Sequence, residues 1–127
     1  MSLPSFYLCN ARSILPKMDD FLSNMSTFTP DCGGVTETWL NSNISDDFLK
    51  IPSYNLFRCD RQSKRGGGVC LWSKNYLMAK KIKFVTNDYM ECILVHSEVV
   101  KMLFVLLYIP PSACSSHVAV DVLKSQM

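Results

Sequence analysis

The chain has 127 residues, 48% of them hydrophobic and 11% aromatic, and a formal net charge of +2. That size fits one domain with a packed core, and the modest charge with many aromatics excludes a disordered chain. No apolar run approaches the roughly 18 residues of a membrane span, and the first residues have neither a basic start nor an apolar leader core, so neither a membrane partner nor secretion is expected.

The run Phe6–Cys9 is strand-like and stops at Asn10. Met18, Phe21, Leu22, Met25 and Phe28 recur at steps of three and four. This predicts an amphipathic helix with Pro16 in its first turn and an end at Thr29-Pro30-Asp31. Its methionines read as core packing. Cys32–Thr38, with Val35, Thr36 and Thr38, predicts a strand. Polar Asn41–Asp47 predicts a loop in which Ser45-Asp46-Asp47 caps a helical turn. Strands are predicted at Tyr54–Cys59, Val69–Ser73, the alternating Lys80–Val85, Tyr89–His96 and Lys101–Tyr108, with turns at Arg61–Gly67 and Ser97–Val100. Ser115-Ser116 predicts the cap of a second helix carrying Val118, Val122 and Leu123, still running at Met127. The order gives a mixed α/β fold of the α+β type, mostly antiparallel, over 1–127. An element that ends in mid-course points to a domain truncated on its C-terminal side.

Six cysteines, Cys9, Cys32, Cys59, Cys70, Cys92 and Cys114, include no C-x-x-C pair, which argues against structural zinc. Several stand inside apolar strand runs and read as reduced, intracellular core residues.

Polar residues mark the places where apolar runs end: Asn10, Glu37, Arg61 with Gly66–Gly68, and Tyr108. Each alone fits a plainer role. Asn10 suits a turn, Glu37 a surface loop, Tyr108 a core edge, and the glycines a hairpin or bulge needing positive φ. Together they offer what phosphodiester chemistry uses: a carboxylate for a hard divalent cation, and donors for phosphoryl oxygens and a developing oxyanion. Glu91 and the Asp46-Asp47 pair read as structural or solvated, and neither His96 nor His117 has a carboxylate neighbour that makes it a base. The cluster Arg58, Arg61, Lys64 and Arg65, against Asp60 alone, and the cluster Lys80, Lys81 and Lys83 either attract polyanions or form solvated faces. Arg61, Lys64 and Arg65 are the candidate nucleic-acid contacts.

FYLCNARSILPKMDDF, TETWLNSNISDDFLKIPSYNLFRCDR, RGGGVCLWS, MECILV and VLLYIPPS, in that order, resemble the endonuclease/exonuclease/phosphatase superfamily. More narrowly, they resemble the apurinic-like endonuclease domain of non-LTR retrotransposons. The resemblance covers Phe6 to Met127 and implies the N-terminal half of a four-layer α/β sandwich with its active site at one end. It implies catalytic roles for Asn10, which orients the phosphate, and Tyr108, near the scissile bond. It implies Glu37 as a ligand of Mg²⁺ or Mn²⁺. Arg12 stands where apurinic endonucleases tend to carry an acidic residue. The implied parent nicks one DNA strand in the nucleus and carries a reverse transcriptase domain C-terminal in the same polyprotein. Its Asp-x-Asn and Ser-Asp-His motifs would lie past Met127, so the chain as given is expected to be inactive. The alternatives are a non-catalytic module that binds nucleic acid or protein through the basic loop, and a fragment of another superfamily phosphoesterase.

Overall fold

A computed structural model describes residues 3–62 and 65–111. The order is β1 (Phe6–Asn10), α1 (Met18–Phe28), β2 (Cys32–Thr36), β3 (Tyr54–Cys59), β4 (Val69–Lys74), β5 (Lys80–Thr86), β6 (Glu91–Ser97) and β7 (Met102–Tyr108). The strands form two sheets, β1-β2-β4-β3 and β5-β6-β7. β1 and β2 run parallel, joined through α1, and the other pairs are antiparallel. The helix expected after Ser115-Ser116 lies outside the described residues.

Local chemistry moves several boundaries. Pro16 sits in a separate 3-10 turn, Leu15–Lys17, ahead of α1. The helix ends where Thr29 turns left-handed (φ 42°) and donates its N–H to the Met25 carbonyl. Strand β2 stops at Thr36, two residues early, because Glu37 and Trp39 leave the extended region with φ of 54° and 57°. Strand β6 starts at Glu91, since the Asn87 side-chain oxygen accepts from the N–H groups of Tyr89 (2.8 Å) and Met90 (3.0 Å) and holds them in a turn. Ser45 caps Asp46–Phe48 as expected, accepting from Asp47 N–H at 3.1 Å. A 3-10 turn at Asn75–Leu77 has no counterpart in the sequence pattern.

The described residues stack in three layers. The first sheet alternates: Val35, Cys70 and Trp72 face α1 and the loops, packing with Ile14, Phe21, Met25 and Leu49. Cys32, Val69 and Leu71 face the second sheet, meeting Ile93, Val95, Phe104 and Leu106. Trp72 is fully buried, packs against Phe21 with ring centroids 4.9 Å apart and planes tilted by 45°, and donates Nε1–H to the Leu49 carbonyl at 2.8 Å. Among the described residues no helix is long and apolar enough to cross a membrane.

Cys9, Cys32, Cys59, Cys70 and Cys92 are free thiols, all but Cys9 buried. Burial pushes the Cys32 thiol up to about 12 and Cys59 to about 11, against an ordinary value of 9.0. A folded-state value above the unfolded one means that the native chain holds its protons longer. The stability involved is fully present below about pH 9 and is lost as pH rises through 11 to 12. Reduced protein is expected to lose more than about 1 kcal/mol between pH 8.5 and 10, each thiol contributing up to ~1.4 kcal/mol per pH unit. Urea midpoints measured across that range under reductant check this, and a flat midpoint contradicts it.

Candidate functional site

Strand register brings the ends of the apolar runs to one rim. Asn10 pairs with Thr36, Thr36 with Val69, and Val69 with Cys59 in the first sheet. In the second, Glu91 sits between Thr86 and Tyr108. The segments leaving β1, β2, β3 and β7, and those entering β4 and β6, therefore meet on the same side.

Glu91 ties the two sheets together there. It is fully buried, and its Oε1 accepts the Gly68 N–H at 2.8 Å. The Arg61 guanidinium reaches Oε1 at 3.2 Å and Oε2 at 3.4 Å. Both carboxylate oxygens are thus engaged, as a buried charge requires. Glu91 takes the structural of the two roles expected of it, with its carboxylate fully buried.

The glycine triplet shapes the loop around this pair. Gly66, Gly67 and Gly68 take φ of 94°, 64° and 87°. The Arg61 guanidinium lies so close to Gly67 that a Cβ there would overlap it, and a Cβ on Gly68 would stand 2.5 Å from Thr38 Oγ1. The positive φ expected of these glycines is present.

The same loop holds the Glu37 segment. The Gly68 carbonyl accepts from Thr38 N–H (3.2 Å) and the Gly67 carbonyl from Trp39 N–H (2.9 Å). On the other side, Ser13 N–H donates to the Glu37 carbonyl (2.9 Å) and Ile14 N–H to that of Thr38 (3.1 Å). Arg12, Ser13, Glu37 and Trp39 all have positive φ, a concentration of backbone strain that recurs at binding and catalytic sites. Glu37 is half-buried within this frame.

Tyr108 arrives from β7. Its phenol pKa is raised, first by burial and then by the Glu37 carboxylate, with Arg61 opposing and Glu91 adding to the rise. Glu37, Tyr108, Arg61 and Glu91 therefore share one electrostatic neighbourhood, in which the protonated phenol can donate. Asn10 stands exposed on the same rim, followed by Ala11, whose N–H donates to the Thr36 carbonyl at 2.9 Å.

Two of the clustered cations, Arg58 and Arg61, are turned inward. Arg58 pairs with Asp60 (2.8 Å) and Asp46 (2.9 Å) and keeps 14% of its side chain exposed; Arg61, paired with Glu91, keeps 10%. Lys64 lies outside the described residues, and Arg65 is exposed. His96 does have a carboxylate neighbour, Glu98 at 3.4 Å, but at the far end of β6 from this rim.

Among the described residues no three His, Cys, Asp or Glu side chains are grouped so that they could hold a metal ion. A half-buried carboxylate such as that of Glu37 could supply one ligand to a hard divalent cation, which takes few carboxylates and retains several waters. Glu91, engaged by Arg61 and Gly68, is not free for that role.

No protein-family model matches the chain, and no curated protein matches its sequence. Solved structures do match. The AP endonuclease LMAP from Leishmania major superposes with a TM-score of 0.62 at 17% identity, over 84% of this chain and 40% of that one. The Neisseria 3′ phosphatase NExo, solved with a product DNA hairpin, gives 0.59 at 12% identity, over 80% of this chain and 40% of its own. The human Nocturnin catalytic domain, solved with a sulfate anion, gives 0.56 at 9% identity, over 82% of this chain and 48% of its own. The described residues thus share the fold of these structures, a mixed α/β arrangement with two mostly antiparallel sheets. The chain spans about two-fifths of the length of the first two structures.

Proposed function

We propose that the chain is part of a divalent-metal-dependent endonuclease that nicks one strand of DNA in the nucleus, of the type that accompanies a reverse transcriptase in non-LTR retrotransposons. The observation that carries this reading is the convergence of Glu37, Tyr108 and the Arg61–Glu91 pair on one rim of a superfamily fold. Bound there, the cation would neutralise charge on phosphoryl oxygens. Glu37 would hold the cation, Asn10 would orient the phosphate through its amide, and Tyr108 would donate its phenolic O–H in a hydrogen bond to an oxyanion. Arg61 and Glu91 act through position, fixing the loop that supports Glu37.

Activating the attacking water needs a base, and Glu91 is already occupied. On this reading the base belongs to the Asp-x-Asn and Ser-Asp-His segments that the resemblance implies, and the chain alone is inactive. The alternative, a module binding polyanions through the basic loop, is weakened because the charged groups of Arg58 and Arg61 are paired internally.

Supercoiled-plasmid nicking tests the proposal. The chain alone is expected to leave the plasmid intact in Mg²⁺. A polyprotein that includes the two further motifs is expected to nick it, with EDTA abolishing the activity and Glu37→Ala reducing it by about two orders of magnitude or more. EDTA-sensitive nicking by the chain alone that Glu37→Ala abolishes would overturn its inactivity. Undiminished nicking by the longer Glu37→Ala protein would overturn the site.

A further inference from the structure

Trp39 is the feature of this rim that packing does not explain. Its neighbours Thr38 and Leu40 are 1% and 4% exposed, whereas Trp39 is 43% exposed. Its backbone is left-handed at φ 57°, and so is that of Glu37, two residues earlier, at 54°. Holding a β-carbon residue there costs free energy, which persists only where the surroundings over-determine it. The surroundings here are the Gly67 carbonyl, bonded to Trp39 N–H at 2.9 Å, and through Gly68 the buried Glu91. The consequence is a large aromatic side chain lifted out of the core beside Glu37.

The indole does not stand alone. Trp39, Arg65 and Gly66 line one open cleft of about 280 Å³. Gly66, at φ 94°, brings the backbone beside the indole: a Cβ built there would lie at ordinary contact distance, 3.8 Å, from Nε1. Arg65 is exposed and has no carboxylate within ion-pair distance among the described residues. An indole face with a free guanidinium at its margin is the pairing that holds single-stranded nucleic acid, where bases stack on aromatics and cations meet the backbone.

We propose that Trp39 is a stacking platform for one unpaired nucleobase of the DNA strand, adjacent to the phosphate at Glu37, and that Arg65 contacts a flanking phosphate. This rests on the endonuclease reading of the same rim and adds the base-contacting residue to it. A platform of this kind selects DNA that is unstacked at the site. It is tolerant of base identity, because every base presents a π-face.

The chain itself supplies the probe. Its tryptophans are Trp39 and Trp72, and Trp72 is fully buried, so a ligand-dependent change in emission reports mainly on Trp39. Oligothymidylate is titrated into the full chain at several salt concentrations, in parallel with a blunt duplex of equal length and with inorganic polyphosphate. Oligothymidylate is expected to quench the emission, and polyphosphate is expected to leave it unchanged. Trp39→Ala is expected to weaken oligothymidylate binding, followed by anisotropy, about tenfold, while Trp39→Phe keeps most of the affinity. The salt dependence is expected to keep its slope in Trp39→Ala and to flatten in Arg65→Gln, because that slope counts phosphate contacts. Trp39 is a surface residue, and an unchanged urea midpoint in Trp39→Ala confirms an intact fold. Oligothymidylate bound equally well by wild type and Trp39→Ala would overturn the platform while leaving the endonuclease reading standing, as would equal quenching by polyphosphate. A chain that binds neither DNA form at any salt concentration would remove the DNA reading and the platform with it.

Discussion

Glu91→Ala is expected to destabilise the chain by about 3–5 kcal/mol, the cost of leaving a buried guanidinium without its counter-charge. The side chain is fully buried, so the vacated space does not fill readily with water, and the Gly68 N–H loses its acceptor in the same step. Glu91→Gln separates these contributions. The amide oxygen can still accept from Gly68 but carries no charge for Arg61, so a smaller loss is expected, roughly 1–3 kcal/mol. Replacing both partners, as Arg61→Met with Glu91→Leu, removes the unpaired charge and is expected to recover much of the stability of Glu91→Ala. Urea unfolding of the four proteins under reductant measures all three differences. A Glu91→Ala loss below about 1 kcal/mol would mean that the pair does not hold the sheets together.

The consequences of that substitution extend to the proposed site. Gly68 is bonded to Glu91 through its N–H and to Thr38 through its carbonyl, and the Gly67 carbonyl bonds Trp39. A change that frees Gly68 therefore also loosens the frame that keeps Glu37 and Trp39 in left-handed backbone. In the proposed endonuclease this makes Glu91 a positioning residue, joined through Gly68 and Thr38 to the backbone beside Glu37.

The sequence disclosed the elements better than their partnerships. Strand β3 is read correctly to the residue, because Tyr54, Leu56, Phe57 and Cys59 concentrate aromatic and apolar side chains between polar turns. The free cysteines and the α1 core face are equally legible, since both follow from which residues alternate or repeat. Glu91 was not. It opens an apolar strand, where a carboxylate ordinarily faces solvent, and its partner Arg61 is thirty residues away. Nothing local marks such a pair, and the signal available was only that a charged residue stood where the buried face of β6 begins. The basic loop misleads for the related reason that four nearby cations look like a surface patch until Asp46, Asp60 and Glu91 are seen to pair with two of them. Positive φ at Glu37 is equally hidden, because it is imposed from both sides by the Ser13 and Gly67–Gly68 segments rather than by Glu37 itself.

Gly67→Ala gives the second large effect, and it acts through two physical causes that a thermodynamic cycle can part. At φ 64° a non-glycine residue costs about 1–2 kcal/mol from backbone sterics alone. In addition, the new Cβ would overlap the Arg61 guanidinium and push it off Glu91. The wild-type background is therefore expected to lose the backbone cost plus a share of the ion pair, together about 2–4 kcal/mol. In an Arg61→Ala background the guanidinium is gone and only the backbone cost remains. The interaction energy across the cycle is expected to be about 1–3 kcal/mol, the range for residues in direct contact. Four urea unfolding curves supply it. A value near zero would show that Arg61 can move away from residue 67 without losing Glu91, and the role of the glycine would then reduce to turn geometry. A value in the expected range would make Gly67 the residue that lets a guanidinium lie flat against the backbone, with the loop, the buried carboxylate and the Glu37 segment behaving as one cooperative unit.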